Sequence, residues 1–306
     1  MESKVLTEIA AENAKRGDSN LLAREYFDSL LIEQRHIGAM IPSTQFRLWG
    51  EAFATPVMSA ALANADRIRP GAMLELVEAV RDAGAVMWTG WISDEAMEQY
   101  VGTGAKVLRM VKPFEDHDRI FRAIEHDERC GAFAVGMDID HVFERDGEVC
   151  EKGFGKLGPQ TMEDLKQYVH ASKLPFVFKG IDSVSDVRKC VELGASGVVL
   201  SHHMNMFPYS VPPLQVLPDA VKAASGRLLV FLDSNVCSGV DAFKALALGA
   251  KGVGVGRQLW RALAESREAA EGLLLHMTEE LKGAMARTCT PDLDHMDPSV
   301  IIHKKT

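Results

Sequence analysis

The sequence predicts a single α/β domain, a (β/α)8 barrel of the TIM type, and three observations point to it. Eight short apolar runs alternate with amphipathic helical stretches from Thr55 onward. The first and last runs begin at residues 56 and 252, so one unit averages about 28 residues, enough for a strand, a helix and two loops. Polar residues end five consecutive runs, as expected at the catalytic mouth of a barrel. The 306 residues accommodate one barrel of roughly 250 residues with short extensions.

The predicted strands are apolar runs bounded by turn-forming residues. In chain order they cover 56–61, 85–89, 106–111, 132–137, 175–179, 197–200, 228–232 and 252–255. Apolar residues at helical spacing predict the intervening helices, most clearly at 162–172, 184–193 and 240–248.

Two extensions flank the predicted barrel, which covers 55–289. Residues 1–54 are predicted to form a helical N-terminal segment, with a helix over 19–36. Residues 290–306 form a C-terminal tail that is a candidate contact with a neighbouring subunit. Within the barrel, the charged, glycine-rich stretch 141–159 is interpreted either as a lid over the mouth or as an ordinary solvated connection.

Composition excludes several classes of function. The net charge is −9 and basic residues form no run, so nucleic acid is not an expected partner. No apolar run approaches the roughly 20 residues that span a bilayer, so no membrane contact is expected, and the acidic N-terminus does not resemble a secretory signal. Five cysteines without a C-x-x-C pair suit reduced thiols. We therefore expect a cytoplasmic protein.

Ionisable side chains follow the fourth to eighth predicted strands. The segments are Asp138-Ile139-Asp140-His141, Lys179-Gly180, Ser201-His202-His203, Asp233-Ser234-Asn235 and Gly256-Arg257. A buried lysine needs an anionic partner, so Lys179 predicts a negative charge nearby, unless its side chain reaches solvent. The paired histidines favour a general base, although a lone histidine is more often structural.

The last strand and the residues after it suggest a phosphate site. Glycine alternates with valine from Gly252 to Gly256, a pattern that close packing also explains. Barrels, however, bind phosphate with the loops after strands seven and eight and with a helix N-terminus. Arg257 at that helix start would pair with the phosphate.

The stretch from Pro175 to Trp260 resembles the FMN-dependent α-hydroxy-acid oxidases and dehydrogenases, a family that includes glycolate oxidase and lactate oxidase. The similar segments are LPFVFKGI (174–181), GASGVVLSHH (194–203) and VFLDSNVCSGVDAFKALALGAKGVGVGR (230–257). Weaker similarity covers EYF (25–27), TPVMSAA (55–61) and VGMDID (135–140). The resemblance implies a flavoenzyme with FMN as cofactor, a small-molecule substrate and a homo-oligomer of four or more subunits.

The resemblance also implies roles for individual residues. His203 would be the base that takes the substrate hydroxyl proton while a hydride passes to flavin N5. Asp138 would orient His203 and stabilise its charged form, and Lys179 would lie beside flavin N1. Cofactor contacts are further expected from Thr89, Arg109, Ser201, Asp233, Ser234, Asn235, Gly256 and Arg257.

The expected substrate contacts depart from the family. Tyr26, Arg109 and Met206 are the candidate substrate residues, but Met206 replaces the arginine that would bind a substrate carboxylate. The strand-three glutamine and tyrosine of the family are read as Arg109 and Val111, and the strand-four threonine as Gly136. Arg109 and Lys112 are the candidate replacement cations, and the substrate arginine of the lid is not placed.

Two other functions remain open from the residues alone. A metal-dependent barrel lyase or hydrolase could use Asp138, Asp140, His141 and the His202/His203 pair. A non-catalytic flavin-binding barrel would explain the altered substrate residues. The leading interpretation, an FMN-dependent oxidoreductase, needs no metal.

Overall fold

A computed structural model describes residues 17–204 and 206–305, and its centre is a parallel eight-stranded sheet. The strands follow one another around the sheet, and β1 also pairs with β8. A bridge between Leu62 and Thr89 joins the first two strands and closes the barrel. The predicted (β/α)8 barrel is confirmed. The strands are β1 (Val57–Ser59), β2 (Met87–Thr89), β3 (Val107–Val111), β4 (Ala134–Asp138), β5 (Phe176–Ile181), β6 (Gly197–Leu200), β7 (Leu229–Leu232) and β8 (Gly252–Val255).

Helices follow each strand, and local sequence signals fix their ends. Serine, threonine or aspartate side chains accept hydrogen bonds from first-turn N–H groups of several helices. Examples are Ser93, Asp116, Thr161, Ser183 and Ser238. The helices are α1 (Ala72–Asp82), α2 (Asp94–Gly102), α3 (His117–Cys130), α4 (Met162–Ala171), α5 (Val184–Leu193), α6 (Pro213–Ala224), α7 (Gly239–Ala247), α8 (Arg257–Glu265) and α9 (Arg267–Ala286).

Alternation along the strands separates two buried layers. Side chains such as Trp88, Leu108 and Phe231 fill the barrel interior, while their neighbours, for example Val107 and Val135, pack against the helices. The face of a residue therefore follows from its parity within the strand. This parity decides which polar residues reach the mouth.

The N-terminal segment is only partly helical, in contrast to the prediction. Residues 1–16 lie outside the described residues. The helix Ser19–Ser29 ends earlier than the predicted 19–36, because the chain continues as a strand, Leu30–Ile32. A hairpin of Phe46–Leu48 and Glu51–Phe53 then adds aromatic residues to the interior layer. This hairpin closes the barrel at the end opposite the mouth.

The C-terminal tail packs on its own chain. Its strand Ile301–His303 pairs antiparallel with Leu30–Ile32, so β-pairing there is satisfied within one subunit. The stretch after β4 is likewise tied down, because Cys150 N–H donates to Val142 and Gly158 N–H donates to Pro113. Among the described residues, no helix is long and apolar enough to cross a membrane.

Candidate active site

Five neighbouring strands place a polar residue on the uppermost inward-facing layer of the barrel. Four of these residues end or directly follow their strand, and the fifth lies within β5 just before its bulge. Each is between 1% and 7% exposed. This polar layer lies directly above an apolar layer of the barrel interior, which contains Met110 and Val199. Charges at such depth require partners. The five residues are Lys112, Asp138, Lys179, Ser201 and Asp233.

Asp138 lies between two lysines. Its Oδ2 is 2.7 Å from Lys112 Nζ and its Oδ1 is 3.3 Å from Lys179 Nζ. Burial alone would raise the pKa of Asp138, but Lys179 and Lys112 hold this pKa well below its ordinary value. Burial alone would lower the pKa of Lys179, but Asp138 and Asp233 outweigh it and raise this pKa. Asp138 and Lys179 are therefore charged.

A short helical turn, Ile139–His141, brings two more ionisable residues to the mouth. Asp140 Oδ2 lies 3.0 Å from His203 Nδ1, and His141 Nε2 lies 2.9 Å from His203 Nε2. Lys112 Nζ lies 2.6 Å from His141 Nδ1. Strict alternation would send His141 to the opposite side from Asp138, but the turn abolishes that alternation.

These contacts define one direction of hydrogen bonding. The Lys112 ammonium can only donate, so His141 accepts at Nδ1 and donates from Nε2 to His203. Because His203 accepts at Nε2, its neutral form carries the proton on Nδ1 and donates it to Asp140, and Lys179 Nζ, 3.2 Å from the same Nδ1, then makes no hydrogen bond to that nitrogen. Burial, with His203 and Lys112 as further causes, lowers the pKa of His141 to about 3, so His141 is neutral. The Nε2 lone pair of His203 is the basic end of this chain.

The carboxylate that holds His203 differs from the expected one. The resemblance assigns that role to Asp138, but both oxygens of Asp138 are paired with lysines. Asp140 takes the position instead, because the turn after β4 lifts it toward His203. His202 is 4% exposed and adjacent to His203 in the chain, and the mouth contacts described above belong to His203.

The expected phosphate residues meet at the ends of β7 and β8. Arg257, the first residue of α8, donates to Asn235 Oδ1. Ser234 Oγ donates to Asp233 Oδ1 at 3.0 Å. Gly256 precedes α8 and has no side chain, so the first-turn N–H groups of α8 carry no side-chain cap. A guanidinium beside a helix N-terminus is a suitable donor set for phosphate.

Non-glycine residues occupy left-handed backbone positions around the mouth. Ser234 and Asn235 have φ of 73° and 63°. His203 and Met204 have φ of 46° and 58°. Such conformations cost of order 1 kcal/mol or more each and cluster at functional sites. Two such pairs therefore lie in the loops after β6 and β7.

Two predicted cofactor residues face away from the mouth. Thr89 and Arg109 are register partners in β2 and β3, and both lie on the outer side of the barrel. Arg109 is fully buried and pairs with Asp94 and Asp127 of the covering helices. The expectation that Arg109 binds cofactor or substrate is therefore wrong, because its parity places it on the helix side.

The residues of β3 that face the barrel interior are shifted by one position from Arg109 and Val111, to which the resemblance assigned the family's strand-three site residues. Met110 and Lys112 face the interior, whereas Arg109 and Val111 face the helices. Arg109 and Lys112 are three apart and so lie on opposite sides. Met110 fills the space beside Gly136, where a Cβ would lie 2.6 Å from the Met110 sulfur. Of the two candidate cations, the structure brings only Lys112 to the mouth.

The other substrate candidates lie near the rim or away from it. The Tyr26 ring packs edge-on against the ring of His303, with 6.1 Å between centroids. His303 belongs to the C-terminal strand Ile301–His303, away from the mouth. Met206 follows His203 in the loop after β6, and its carbonyl accepts from Arg145 Nε at 3.2 Å. Arg145, an exposed residue of the stretch after β4, is a cation at this rim that the sequence analysis did not single out.

Asp182, after β5, is a second residue that sequence reasoning missed. Burial, with Asp140 and Asp233 as further causes, raises the pKa of Asp182 to about 8. Its carboxyl group accepts from the Ser201 backbone. An aspartate three residues after the predicted strand 175–179 was a usable signal, but the bulge at Gly180 obscured its direction.

The mouth also contains a possible metal cluster, formed by Asp138, His141 and His203, whose ligand atoms lie within 4.8 Å of one another. Two ammonium groups, Lys112 and Lys179, contact members of this cluster. A divalent cation there would be repelled by both. This geometry disfavours the metal-dependent alternative.

The residues present fit FMN. A guanidinium and the uncapped α8 N-terminus suit the phosphate, the Asp233 carboxylate suits ribityl hydroxyl groups, and buried Lys179 suits the electron-rich edge of a flavin ring. Fold and site together define an FMN-binding barrel oxidoreductase.

Comparison with known proteins identifies the family. The family model for FMN-dependent dehydrogenase matches residues 3–156 and 154–303, so the chain belongs to this family of FMN-dependent α-hydroxy-acid oxidases and dehydrogenases, with FMN as cofactor. Glycolate oxidase of Spinacia oleracea is 26% identical over 76% of this chain and 72% of its own length. The 4-hydroxymandelate oxidase of Amycolatopsis orientalis is 27% identical over 79% and 78%.

Solved structures agree with this assignment. A mandelate oxidase variant with a monooxide FMN adduct superposes with a TM-score of 0.85 at 26% identity, covering 94% of this chain and 92% of that one. Mandelate oxidase with (S)-2-phenylpropionate gives 0.84 at 25% identity, covering 94% and 90%.

Proposed function

We propose that this enzyme oxidises an α-hydroxy acid or a related hydroxy compound, with His203 as the base. The observation that carries the proposal is the directed hydrogen-bond chain from Lys112 through His141 to His203 and Asp140. Bound FMN supplies the acceptor for the hydride that leaves the substrate carbon. The protein supplies the proton acceptor and the fixed charges around it.

The proton transfer follows from the protonation states. In its neutral form His203 has its lone pair on Nε2, the atom to which His141 donates. A substrate hydroxyl that replaces this donor can pass its proton to Nε2. The resulting imidazolium remains paired with Asp140, whose pKa is held below its ordinary value by His203 although burial opposes this. The carboxylate thus stabilises the charge that forms.

Arg145 is the proposed partner of a substrate carboxylate. Lys112 is committed to Asp138 and His141, and Met206 cannot provide a charge. Arg145 already contacts the Met206 backbone, so its guanidinium reaches the loop beside His203. A charge-assisted contact there would replace the missing family arginine.

The rim favours an apolar substituent on the substrate. Met204 and Phe207 are 60% and 67% exposed, and Phe143 of the stretch after β4 is 50% exposed. Exposed apolar groups around a cleft favour apolar ligands. Aryl ligands appear among the related mandelate oxidase structures. We therefore propose an aryl or alkyl α-hydroxy acid in preference to glycolate.

Anaerobic stopped-flow reduction tests the function. Mandelate, lactate and glycolate are each mixed with the purified flavoprotein. His203→Ala should keep its FMN while substrate-driven reduction falls by roughly 10² to 10⁴. His202→Ala should lose much less. Equal losses at both positions would refute His203 as the base, and bound FMN that no hydroxy acid reduces would favour a non-catalytic flavin-binding barrel.

The proposal includes a cytoplasmic homo-oligomer of four or more subunits. Its support is the family resemblance together with an exposed apolar segment, in which Ile37 and Ile41 are 100% and 92% exposed. Light scattering coupled to size exclusion measures the assembly. A monomer at micromolar concentration would refute it.

A further inference from the structure

The rings of His141 and His203 lie side by side at the mouth. Their Nε2 atoms are 2.9 Å apart, whereas the ring centroids are 3.9 Å apart. The ring planes are inclined by only 34°, so the rings lie largely face to face and converge toward these two nitrogens. Because an imidazole N–H and an imidazole lone pair lie in the plane of their ring, rings in this arrangement direct both toward the same side. The hydrogen bond between the histidines is therefore bent, and one further atom can contact both nitrogens.

Lys112 fixes which nitrogen of His141 carries the proton. Lys112 Nζ donates to Asp138 Oδ2 at 2.7 Å and lies 2.6 Å from His141 Nδ1. An ammonium group has no lone pair, so Nδ1 of His141 accepts and Nε2 carries the hydrogen. The pKa of His141, lowered to about 3 mainly by burial, keeps the ring neutral with this single proton. His141 is therefore a donor of fixed direction.

We propose that His141 is a second catalytic residue, whose Nε2–H donates to the substrate hydroxyl oxygen while the same hydroxyl donates to His203 Nε2. This inference rests on the proposed function and adds a second contact to it. An oxygen about 2.8 Å from both nitrogens satisfies both hydrogen bonds. A hydroxyl group suits this position because one atom both donates and accepts. The His203 side chain is 21% exposed and His141 is half-buried, so a ligand in the mouth can reach both rings.

The contact from His141 lasts through the reaction. The hydroxyl O–H bond breaks and its proton passes to His203 Nε2, the α C–H bond breaks and its hydride leaves for bound FMN, and the C–O bond becomes a carbonyl. His141 keeps its own proton throughout. Its N–H stabilises the oxygen as the O–H bond weakens and then donates to the product carbonyl. A donor that is oriented before the reaction stabilises the transition state without reorganisation.

The histidine pair also selects the group on the substrate α carbon. An α-ammonium group can donate to His203, but it has no lone pair to accept from His141. An α-methyl group can neither donate nor accept. Neither group can bridge the two histidines, so we expect the site to favour α-hydroxy acids over α-amino acids of the same shape.

Binding of two unreactive acids tests this contact without turnover. 2-Hydroxy-2-phenylpropionate has the hydroxyl group but no hydrogen on the α carbon, so it cannot lose a hydride. 2-Phenylpropionate, a ligand in one of the related mandelate oxidase structures, lacks the hydroxyl group. Changes in the absorbance spectrum of the FMN-loaded enzyme measure both dissociation constants. The wild-type enzyme should prefer the hydroxy acid.

Two amide variants of His141 separate the donor from the ring. In His141→Asn the preference for the hydroxy acid should fall about 5- to 10-fold, because the short amide still accepts from Lys112 but does not reach the substrate. In His141→Gln the amide nitrogen reaches the position of Nε2 and should restore most of the preference. His117→Asn is the control, since His117 faces Asp164 and lies outside the contacts of the mouth. It should bind both acids like wild type.

Anaerobic reduction by mandelate gives the kinetic comparison. The limiting rate should fall by about 10- to 100-fold in His141→Asn and by much less in His141→Gln. An unchanged preference and an unchanged rate in His141→Asn would overturn the role of His141 and leave His203 as the base. Equal losses of affinity for the two acids would show a merely structural role and would also overturn it.

Two results on the wild-type enzyme need no variant. Equal affinity for the two acids would overturn the bridging hydroxyl, even if the His141 variants fold poorly. A flavin that mandelate, lactate and glycolate all fail to reduce would instead refute the proposed function.

Discussion

The carboxylate of Asp140 lies 3.0 Å from Nδ1 of His203. The helical turn Ile139–His141 creates this contact, since an extended chain would direct consecutive residues to opposite sides. Asp138 remains one layer deeper, between Lys112 and Lys179. The orienting carboxylate and the carboxylate that neutralises the lysines are therefore different residues.

Asp140→Asn should slow substrate-driven flavin reduction by roughly 10- to 10³-fold, because the amide removes the charge that stabilises protonated His203. FMN content should be unchanged. Anaerobic stopped-flow measures the effect, with Asp146→Asn in the exposed stretch after β4 as the control. An unchanged rate would mean that His203 does not gain a proton in the reaction.

Met206→Arg should improve reduction by glycolate or lactate, about tenfold or more, because it restores a cation beside His203. The neighbouring substitution Met204→Arg tests whether any added charge at the rim suffices, since Met204 is 60% exposed. Reduction rates over a substrate concentration series measure both variants. Rapid glycolate turnover by the unmodified enzyme would contradict the argument that Met206 removes a carboxylate contact that the smallest substrates need.

Arg257→Ala should weaken FMN binding about 10- to 100-fold, as expected for the loss of a charge-assisted phosphate contact. The dissociation constant follows from the recovery of flavin fluorescence on dilution. Arg261→Ala, one turn later on α8 and exposed, is the control. Equal affinity in the Arg257 variant would remove this residue from the phosphate site.

Asp182 should make stability depend on pH. The pKa of Asp182 is about 8 in the folded chain and about 4 when unfolded. Between these values the folded state holds a proton that the unfolded state has lost, so the free energy of unfolding should fall as pH rises from about 4 to 8. Below that window the contribution is constant.

Asp182→Asn should flatten this dependence, because the amide mimics the protonated acid. Urea unfolding at several pH values measures the slope, with exposed Asp219→Asn as the control. A variant that keeps the wild-type slope would show that another group is responsible.

Much of the fold was predictable because the period of apolar residues is a local signal. The strands 197–200 and 252–255 were predicted with the observed bounds, and 184–193 coincides with α5. The helix over 19–36 was overextended, since pairing of Leu30–Ile32 with Ile301–His303 is a long-range contact. Propensity does not report such contacts.

The candidate site was predictable only in part. Ser201 and Asp233 reach the expected layer because each directly follows a strand of regular parity, and Lys179 reaches it because it lies just before the bulge in β5. Arg109 does not, because a one-residue error in strand register exchanges the two faces. Asp140 was predicted only as a metal ligand and Arg145 was missed, because irregular segments carry both residues and the direction of such segments depends on the residues that pack around them.

The sequence by itself determined the barrel class, the FMN-dependent family and most of the chain positions that face the mouth, since these depend on local periodicity and on contiguous motifs. The tertiary structure alone decided which side of β3 is inside, which carboxylate holds His203 and how the termini pair. It also brought His141 of the turn after β4 against His203. These features depend on the register and orientation of segments that are distant in the chain, and such relationships form only when the segments pack together.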